Sequence, residues 1–164
     1  MSMAPHSIFS KSLRFSLLLC RNRHPMEGFV SHLGRRLISN TEIPAGQDDS
    51  TVSYLVNPCG LSPEAAVVAS HKVKLRSLVE SDSVLALLKH YELSDAHISK
   101  AVRIHPHVLV ANAQETLLPK LEFLCSIGMS RLDLAKTLTY NPIILTRSLK
   151  NCIIPCYTFL KEMG

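Results

Sequence analysis

From position 51 onward, apolar residues recur every three or four positions, which places them along one face of an α-helix. Leu117, Leu121 and Leu124 form one such set, and Val84 and Leu88 belong to another. Short polar segments separate the sets. The pattern predicts an all-α fold for this part of the chain.

Capping residues mark where the predicted helices begin and end. Ser94 and Ser130 each supply a hydroxyl that can accept a hydrogen bond at a helix N-terminus. Gly60 and Gly128 each precede a helix start, where the preceding helix needs a residue in the left-handed conformation. Glu92 takes that place in the unit between them, so we expect its connection to differ.

The chain also repeats itself. Residues 93–109 match residues 129–145 at an offset of 36, and Gly128 matches Gly164 in the same register. A weaker unit precedes them at an offset of 32, around residues 54–62. A period of this size is typical of a helical-repeat solenoid, in which each unit buries its apolar face against its neighbours. Such arrays present long surfaces for polymers or proteins and seldom enclose a catalytic pocket.

Each predicted unit has a first helix, a tight turn, a second helix and a closing proline. A short apolar run follows Pro106 and Pro142, and it is too short for a full helix, which favours a 3₁₀ turn. Pro119 and Pro155 lie about one turn inside the next first helices, so each should tilt its helix or delay its start.

The array is expected to be incomplete at its C-terminal end. The last residue, Gly164, stands at the cap between a first and a second helix. The helix predicted for residues 151–161 would expose Ile153, Ile154, Tyr157 and Leu160 with nothing to cover them. A natural solenoid ends in a polar capping unit. We therefore expect residues 51–164 to be a truncated array.

A basic leader precedes the repeats. Residues 1–41 hold six Lys and Arg residues against one acidic residue, Glu27, and they are rich in serine. This composition indicates an organelle transit peptide, which we expect to be disordered, and a secretory signal is the competing interpretation. Residues 42–50 are polar, contain proline and glycine, and are predicted to form a linker. No apolar stretch approaches the roughly 20 residues that cross a bilayer, so we expect no membrane insertion.

The net charge of +5 belongs to the leader, because residues 42–164 contain twelve basic and twelve acidic residues. The basic composition therefore says nothing about the folded part. Any case for nucleic-acid binding must depend on how the charges are arranged within the repeats.

Little in the sequence supports catalysis. There is no glycine-rich phosphate loop and no nucleophile beside a plausible base. Cys152 and Cys156 are four residues apart, but zinc normally takes four ligands, so we interpret them as apolar helix residues. His105 and His107 flank a proline without a carboxylate or thiol at ligand spacing, and we interpret them as part of a connector. We expect no catalytic residue, metal, cofactor or small-molecule substrate.

The proline-closed units resemble those of the mitochondrial transcription termination factor (mTERF) family, and within it the large plant branch. The likeness is carried by segments 51–66, which includes Gly60-Leu61-Ser62-Pro63-Glu64, 83–89, 116–130 and 133–136. It covers roughly residues 51–164. Tetratricopeptide and pentatricopeptide repeats have similar periods, but they do not place a proline between the second helix and a short apolar turn. The resemblance implies a left-handed superhelix of three-helix units.

The resemblance also implies a function. It implies targeting to mitochondria, or alternatively to chloroplasts, and binding of double-stranded DNA or organelle RNA. The associated roles are regulation of transcription termination, transcription and transcript processing. Two alternatives stay open: a helical-repeat scaffold that binds protein partners, and a truncated product with little activity of its own.

A protein that contacts the phosphate backbone needs Lys and Arg side chains along one face. Lys100 and Lys136 occupy the same place in successive second helices, so they could form a row. Each basic residue could equally be an ordinary solvated surface residue. Aromatic residues are few, which argues against a base-stacking platform. Seven basic residues are the candidates for nucleic-acid contact: Lys72, Lys74, Arg76, Lys100, Arg103, Lys136 and Arg147.

Overall fold

The computed structural model describes residues 49–162, which form an all-α array with no β-strand among them. The predicted transit peptide (1–41), its disorder and the linker up to residue 48 lie outside the described residues. The first helix includes Asp49 and Ser50, the last two residues of the predicted linker. Seven α-helices follow one another: α1 (Asp49–Val56), α2 (Pro63–Ser70), α3 (Leu78–His90), α4 (Asp95–Ile104), α5 (Leu118–Ser126), α6 (Arg131–Tyr140) and α7 (Ile154–Glu162).

Short helical turns connect the units. Two 3₁₀ turns, η1 (Pro106–Val110) and η2 (Pro142–Thr146), follow α4 and α6. Two π turns, Ala113–Leu117 and Leu149–Ile153, precede α5 and α7. The prediction of 3₁₀ turns after the closing prolines is therefore confirmed.

The units stack side by side. The second helices α2, α4 and α6 pack one against the next, and η1 packs against η2. Within each unit the first helix packs against the second, α1 on α2, α3 on α4 and α5 on α6. This arrangement confirms the predicted helical-repeat fold, in which equivalent elements of successive units lie next to each other.

The 3₁₀ turns lie in the centre of the core. Val108 and Leu109 of η1 and Ile144 and Leu145 of η2 are almost completely buried. Full burial of an apolar side chain of this size contributes about 1.5–3 kcal/mol. These turns therefore join neighbouring units through apolar contacts as well as through the chain.

The prolines of the first helices occupy positions that an α-helix tolerates. Pro119 and Pro155 are the second residues of α5 and α7, where no intrahelical hydrogen bond needs their missing N–H. Each is preceded by a π turn that starts at a polar cap. The side chain of Asn112 accepts hydrogen bonds from the N–H groups of Gln114 and Glu115 at 3.0 and 2.9 Å. The expected delay of these helix starts is confirmed.

The expectation that the connection at Glu92 differs is wrong. Glu92 adopts a left-handed conformation with φ of 65°, as Gly60 and Gly128 do with φ of 67° and 92°. The N–H of Leu93 donates to Leu88 O at 3.2 Å, and the N–H of Met129 donates to Leu124 O at the same distance. The backbone motif is therefore the same with or without glycine.

Arg131, the first residue of α6 in the next unit, makes contacts that stabilise the chain around the left-handed Glu92. Its Nη1 donates to the carbonyl of His90 at 2.6 Å. Its guanidinium lies 5.1 Å from the centre of the Tyr91 ring, and its Nε lies 3.9 Å from Glu92 Oε1. These contacts fix the end of α3 from outside the unit.

The expected exposure of the last helix is only partly correct. Ile153 is fully buried, contrary to the expectation, because it takes the place that Leu117 fills 36 residues earlier. Ile154 is exposed, Tyr157 and Leu160 are half-buried, and α7 contains no buried residue. Phe159, which the pattern did not mark as exposed, exposes 52% of its surface.

Replacing Glu92 with glycine should stabilise the protein. A left-handed conformation costs a residue with a Cβ roughly 1–2 kcal/mol, while glycine adds backbone entropy to the unfolded chain. We therefore expect Glu92→Gly to raise the free energy of unfolding by about 1 kcal/mol in a urea titration of the full chain.

Gly128→Ala is the matched control. No atom lies within 4 Å of an added Cβ at Gly128, so its effect reports the backbone conformation alone. This variant should be less stable by about 1 kcal/mol. An unchanged or lower stability for Glu92→Gly would show that the contacts of Arg131 fully offset the backbone strain.

Candidate nucleic-acid interface

The charges of the repeats are segregated along the chain. Residues 65–79, 96–114 and 134–161 contain no Asp or Glu. The first two stretches begin in a second helix and run through the connector that closes the unit, and the third does so and continues into α7. The acidic residues lie at the starts of second helices or on the first helices and their flanks. All seven candidate residues lie in the three acid-free stretches, so a sequence with no net charge still forms basic segments.

The first connector, residues 71–77, carries the densest group of cations. Lys72, Lys74 and Arg76 are all exposed and line a cleft of about 550 Å³. Glu80 lines the same cleft, and so does His107 from η1 of the following unit. The structure therefore brings together the three basic residues predicted in this region.

The two lysines of the predicted row occupy equivalent positions but different surroundings. Lys100 and Lys136 are the sixth residues of α4 and α6, which pack against each other. Lys136 is exposed. Lys100 is half-buried, and its Nζ lies 4.1 Å from the centre of the Tyr140 ring, a cation–π contact between units. Lys100 is therefore partly engaged within the protein.

Arg103 lies one turn after Lys100 and is exposed. Both residues line a second cleft of about 500 Å³, which Gly60 and Asp95 also border. Ser99 closes this cleft on one side by donating a hydrogen bond to Gly60 O at 2.9 Å. The cleft thus lies between the first unit and the second helix of the next.

Arg147, the last candidate, follows η2 and lies beside His105. Its Nε is buried and has no hydrogen-bond partner among residues 49–162. His105 Nε2 lies 3.0 Å from Thr146 Oγ1, which connects η1 to η2. The rings of His105 and His107 meet edge to face with their centres 5.5 Å apart.

Burial lowers the pKa of His105, and the nearby His107 and Arg147 lower it further. Sequence reasoning assigned the two histidines to a connector and not to the basic surface. The structure places them in that connector and also among the candidate cations. The sequence does not show which connectors lie together in space. The repeat gave no help either, since the matching positions one unit later are Asn141 and Ile143 and not histidines.

Lys120 is a cation that the sequence did not single out. It is only 5% exposed, and its Nζ donates a hydrogen bond to Leu145 O at the end of η2. Burial lowers the pKa of this amine. Lys120 therefore serves the packing of α5 against the 3₁₀ turn and is not part of the outer surface. Its equivalent one unit later is Cys156, so the repeat pattern did not predict a buried lysine at this position.

Among the described cysteines, Cys59 is buried, and Cys125, Cys152 and Cys156 are half-buried against the core. Burial, together with the charge of Asp82, raises the pKa of the Cys59 thiol to about 12. Burial and contact with Cys152 raise the pKa of Cys156. Among the described residues there is no cluster of three side chains that could hold a metal ion, and no helix is long and apolar enough to cross a membrane.

Acidification should destabilise the protein through His105. The folded-state pKa of His105 lies below the usual value of about 6.5, so the unfolded chain binds the proton first as pH falls. Above the pKa of His105 in the unfolded chain, the contribution of neutral His105 to the stability of the folded state is complete. As pH falls from that value toward the lower pKa of the folded state, this contribution is lost. Urea titrations should show a smaller loss of stability below about pH 6.5 in His105→Gln than in the unmodified chain.

His90→Gln provides the control for this measurement, since His90 is exposed on α3. It should keep the pH dependence of the unmodified chain. If the two variants have the same pH profile, His105 is not desolvated in solution as the structure indicates.

Comparisons with known proteins were made against families, curated proteins and solved structures. The mTERF family model matches residues 85–164, which run from α3 to the end of the chain. No curated protein and no solved structure gives a significant match. Proteins of this family are nucleic-acid-binding regulators and are not typically enzymes. The match supports membership of the mTERF family for the part of the chain from α3 onward.

Proposed function

We propose that this protein is an organellar gene-expression factor that binds double-stranded DNA or RNA through the basic segments of its repeats. The observation that carries this proposal is the charge segregation: acid-free stretches recur in three successive units, on elements that pack side by side. The mTERF match supports the nucleic-acid-binding class of function.

The arrangement suits recognition of a phosphate backbone. Phosphate contacts supply most of the affinity of non-specific nucleic-acid binding, and they require several cations at successive positions. The first connector provides Lys72, Lys74 and Arg76 in one cleft. The second helices add Arg103 and Lys136, both exposed. A rigid helical array holds these groups at spacings set by the repeat.

The finer role is part of the same proposal. Binding at a fixed place on organelle DNA would favour regulation of transcription or of its termination, and binding to a transcript would favour RNA processing. The basic, serine-rich composition of residues 1–41 supports import into mitochondria, with chloroplasts as the alternative compartment. The likeness to the plant branch rests on the repeat segments themselves.

A protein-binding scaffold is the competing function. Leu132 and Tyr140 on α6 expose 60% and 72% of their surfaces, and Phe159 is also exposed. An apolar interface and a phosphate contact differ in their response to salt, because only the latter releases condensed counterions. Salt dependence therefore separates the two functions.

The test compares charge-reversal variants of the full chain in binding to random duplex DNA and to RNA across a salt series. The double variant Lys72→Glu/Lys74→Glu should reduce the slope of log affinity against log salt by about 0.9 for each phosphate that the protein no longer neutralises. Lys100→Glu/Lys136→Glu should act in the same direction. Its effect should come mainly from Lys136, because Lys100 already contacts Tyr140.

Lys89→Glu, a charge reversal on α3 outside the acid-free stretches, is the control and should alter the slope less than either double variant. Every variant retains the six basic residues of the leader, so differences between variants report the repeats. If neither double variant changes the slope more than Lys89→Glu does, the basic segments do not contact the nucleic acid, and a protein partner is favoured. A chain that aggregates under all conditions would favour the truncated-product alternative.

A further inference from the structure

The connectors of three successive units form a continuous polar path. His107 of the second connector shares a cleft with Lys72, Lys74 and Arg76 of the first. His105, which directly precedes the same turn, lies with its Nε2 3.0 Å from Thr146 Oγ1 of the third connector. Arg147 follows directly. The two histidines therefore lie between the cations of the first and third connectors.

The hydrogen bonds at Thr146 determine which nitrogen of His105 can accept a proton. The hydroxyl of Thr146 donates to Ile143 O at 3.0 Å, so its oxygen is the acceptor in the contact with His105. Nε2 of His105 is then the donor, and neutral His105 carries its hydrogen on Nε2. Protonation takes place at Nδ1 and leaves the hydrogen bond to Thr146 in place.

The surroundings of these rings are positively charged. His107 and Arg147 face His105, and Lys72, Lys74, Arg76 and one carboxylate, Glu80, line the cleft with His107. The Nε of Arg147 is buried and has no hydrogen-bond partner among the described residues. A protonated His105 would add a further positive charge beside His107 and Arg147, and Glu80 is the one carboxylate that lines the adjoining cleft. A bound anion would offset the repulsion between protonated His105 and the neighbouring positive charges. Because the protonated form of His105 would then be stabilised, anion binding would be accompanied by proton uptake.

We propose that His105, His107 and Arg147 form a phosphate-binding site between η1 and η2 that takes up a proton when phosphate binds. The inference deepens the proposed function, since the phosphodiester backbone of a nucleic acid would be the natural ligand. Free phosphate presents the same oxygen acceptors. Binding of either ligand is then coupled to pH through His105.

The test measures the titration of His105 by NMR in the full chain, with the imidazole signal assigned by its loss in His105→Gln. Titrations are run without ligand, with inorganic phosphate and with a random DNA duplex. The midpoint of His105 should move to higher pH in the presence of ligand. Duplex affinity at low salt should also rise as pH falls, by at most about tenfold per pH unit for one proton taken up.

Two variants sharpen the result. His105→Gln should lose the coupled rise in affinity, whereas His90→Gln, on the exposed surface of α3, should retain it. Arg147→Gln should reduce the ligand-induced shift of His105, and far-UV circular dichroism verifies that each variant is folded. If a folded Arg147→Gln variant shows the full ligand-induced shift of the His105 midpoint, Arg147 is not part of the site.

The outcomes distinguish this site from the general function. If the duplex binds but the His105 midpoint stays fixed and His105→Gln leaves the pH profile unchanged, the phosphate site is wrong and nucleic-acid binding stands. If the duplex does not bind but inorganic phosphate moves the midpoint, the site stands as a small-phosphate site and nucleic-acid binding fails. If neither ligand moves the midpoint and the duplex does not bind, both are overturned.

Discussion

Contact between successive 3₁₀ turns is the interaction on which the array depends. No helix pair of this size can bury its apolar face alone, so each unit must complete its core with residues of the next. Leu109 of η1 and Leu145 of η2 lie in that shared core. Closing prolines set where each second helix ends and direct the apolar run inward. The register of the repeat follows from this packing and fixes which surface residues become neighbours.

The chemistry of the outer surface follows from the same register. Acidic residues stand at the N-termini of second helices, where they interact favourably with the helix dipole, and on the first helices. The connectors that stack beside the shared core are left with basic and neutral residues. Net charge is therefore a poor guide to this protein, because most basic and acidic residues lie in different segments of each unit. The family match and this charge layout both support the proposed nucleic-acid ligand.

Periodicity and caps predicted most of the fold, including the 3₁₀ turns and the delayed helix starts at Pro119 and Pro155. The failures have a common physical cause, since each depends on a contact between units. Glu92 adopts a conformation typical of glycine, and Arg131, 39 residues later, contacts the residues around it. Ile153 is buried by neighbours that a linear pattern does not show. The candidate lysines and arginines were found by spacing and sign, but the role of the histidines required knowing which connectors lie together.

The connection between α3 and α4 has a consequence for how the chain acquires its structure. The end of α3 is secured by Arg131, which belongs to the following unit. A segment that lacked α6 would therefore retain a left-handed Glu92 without the contacts that compensate for it. Neighbouring units are thus expected to order together in one cooperative step, and opening of the third unit should destabilise the end of α3 in the second, because the contacts of Arg131 are lost.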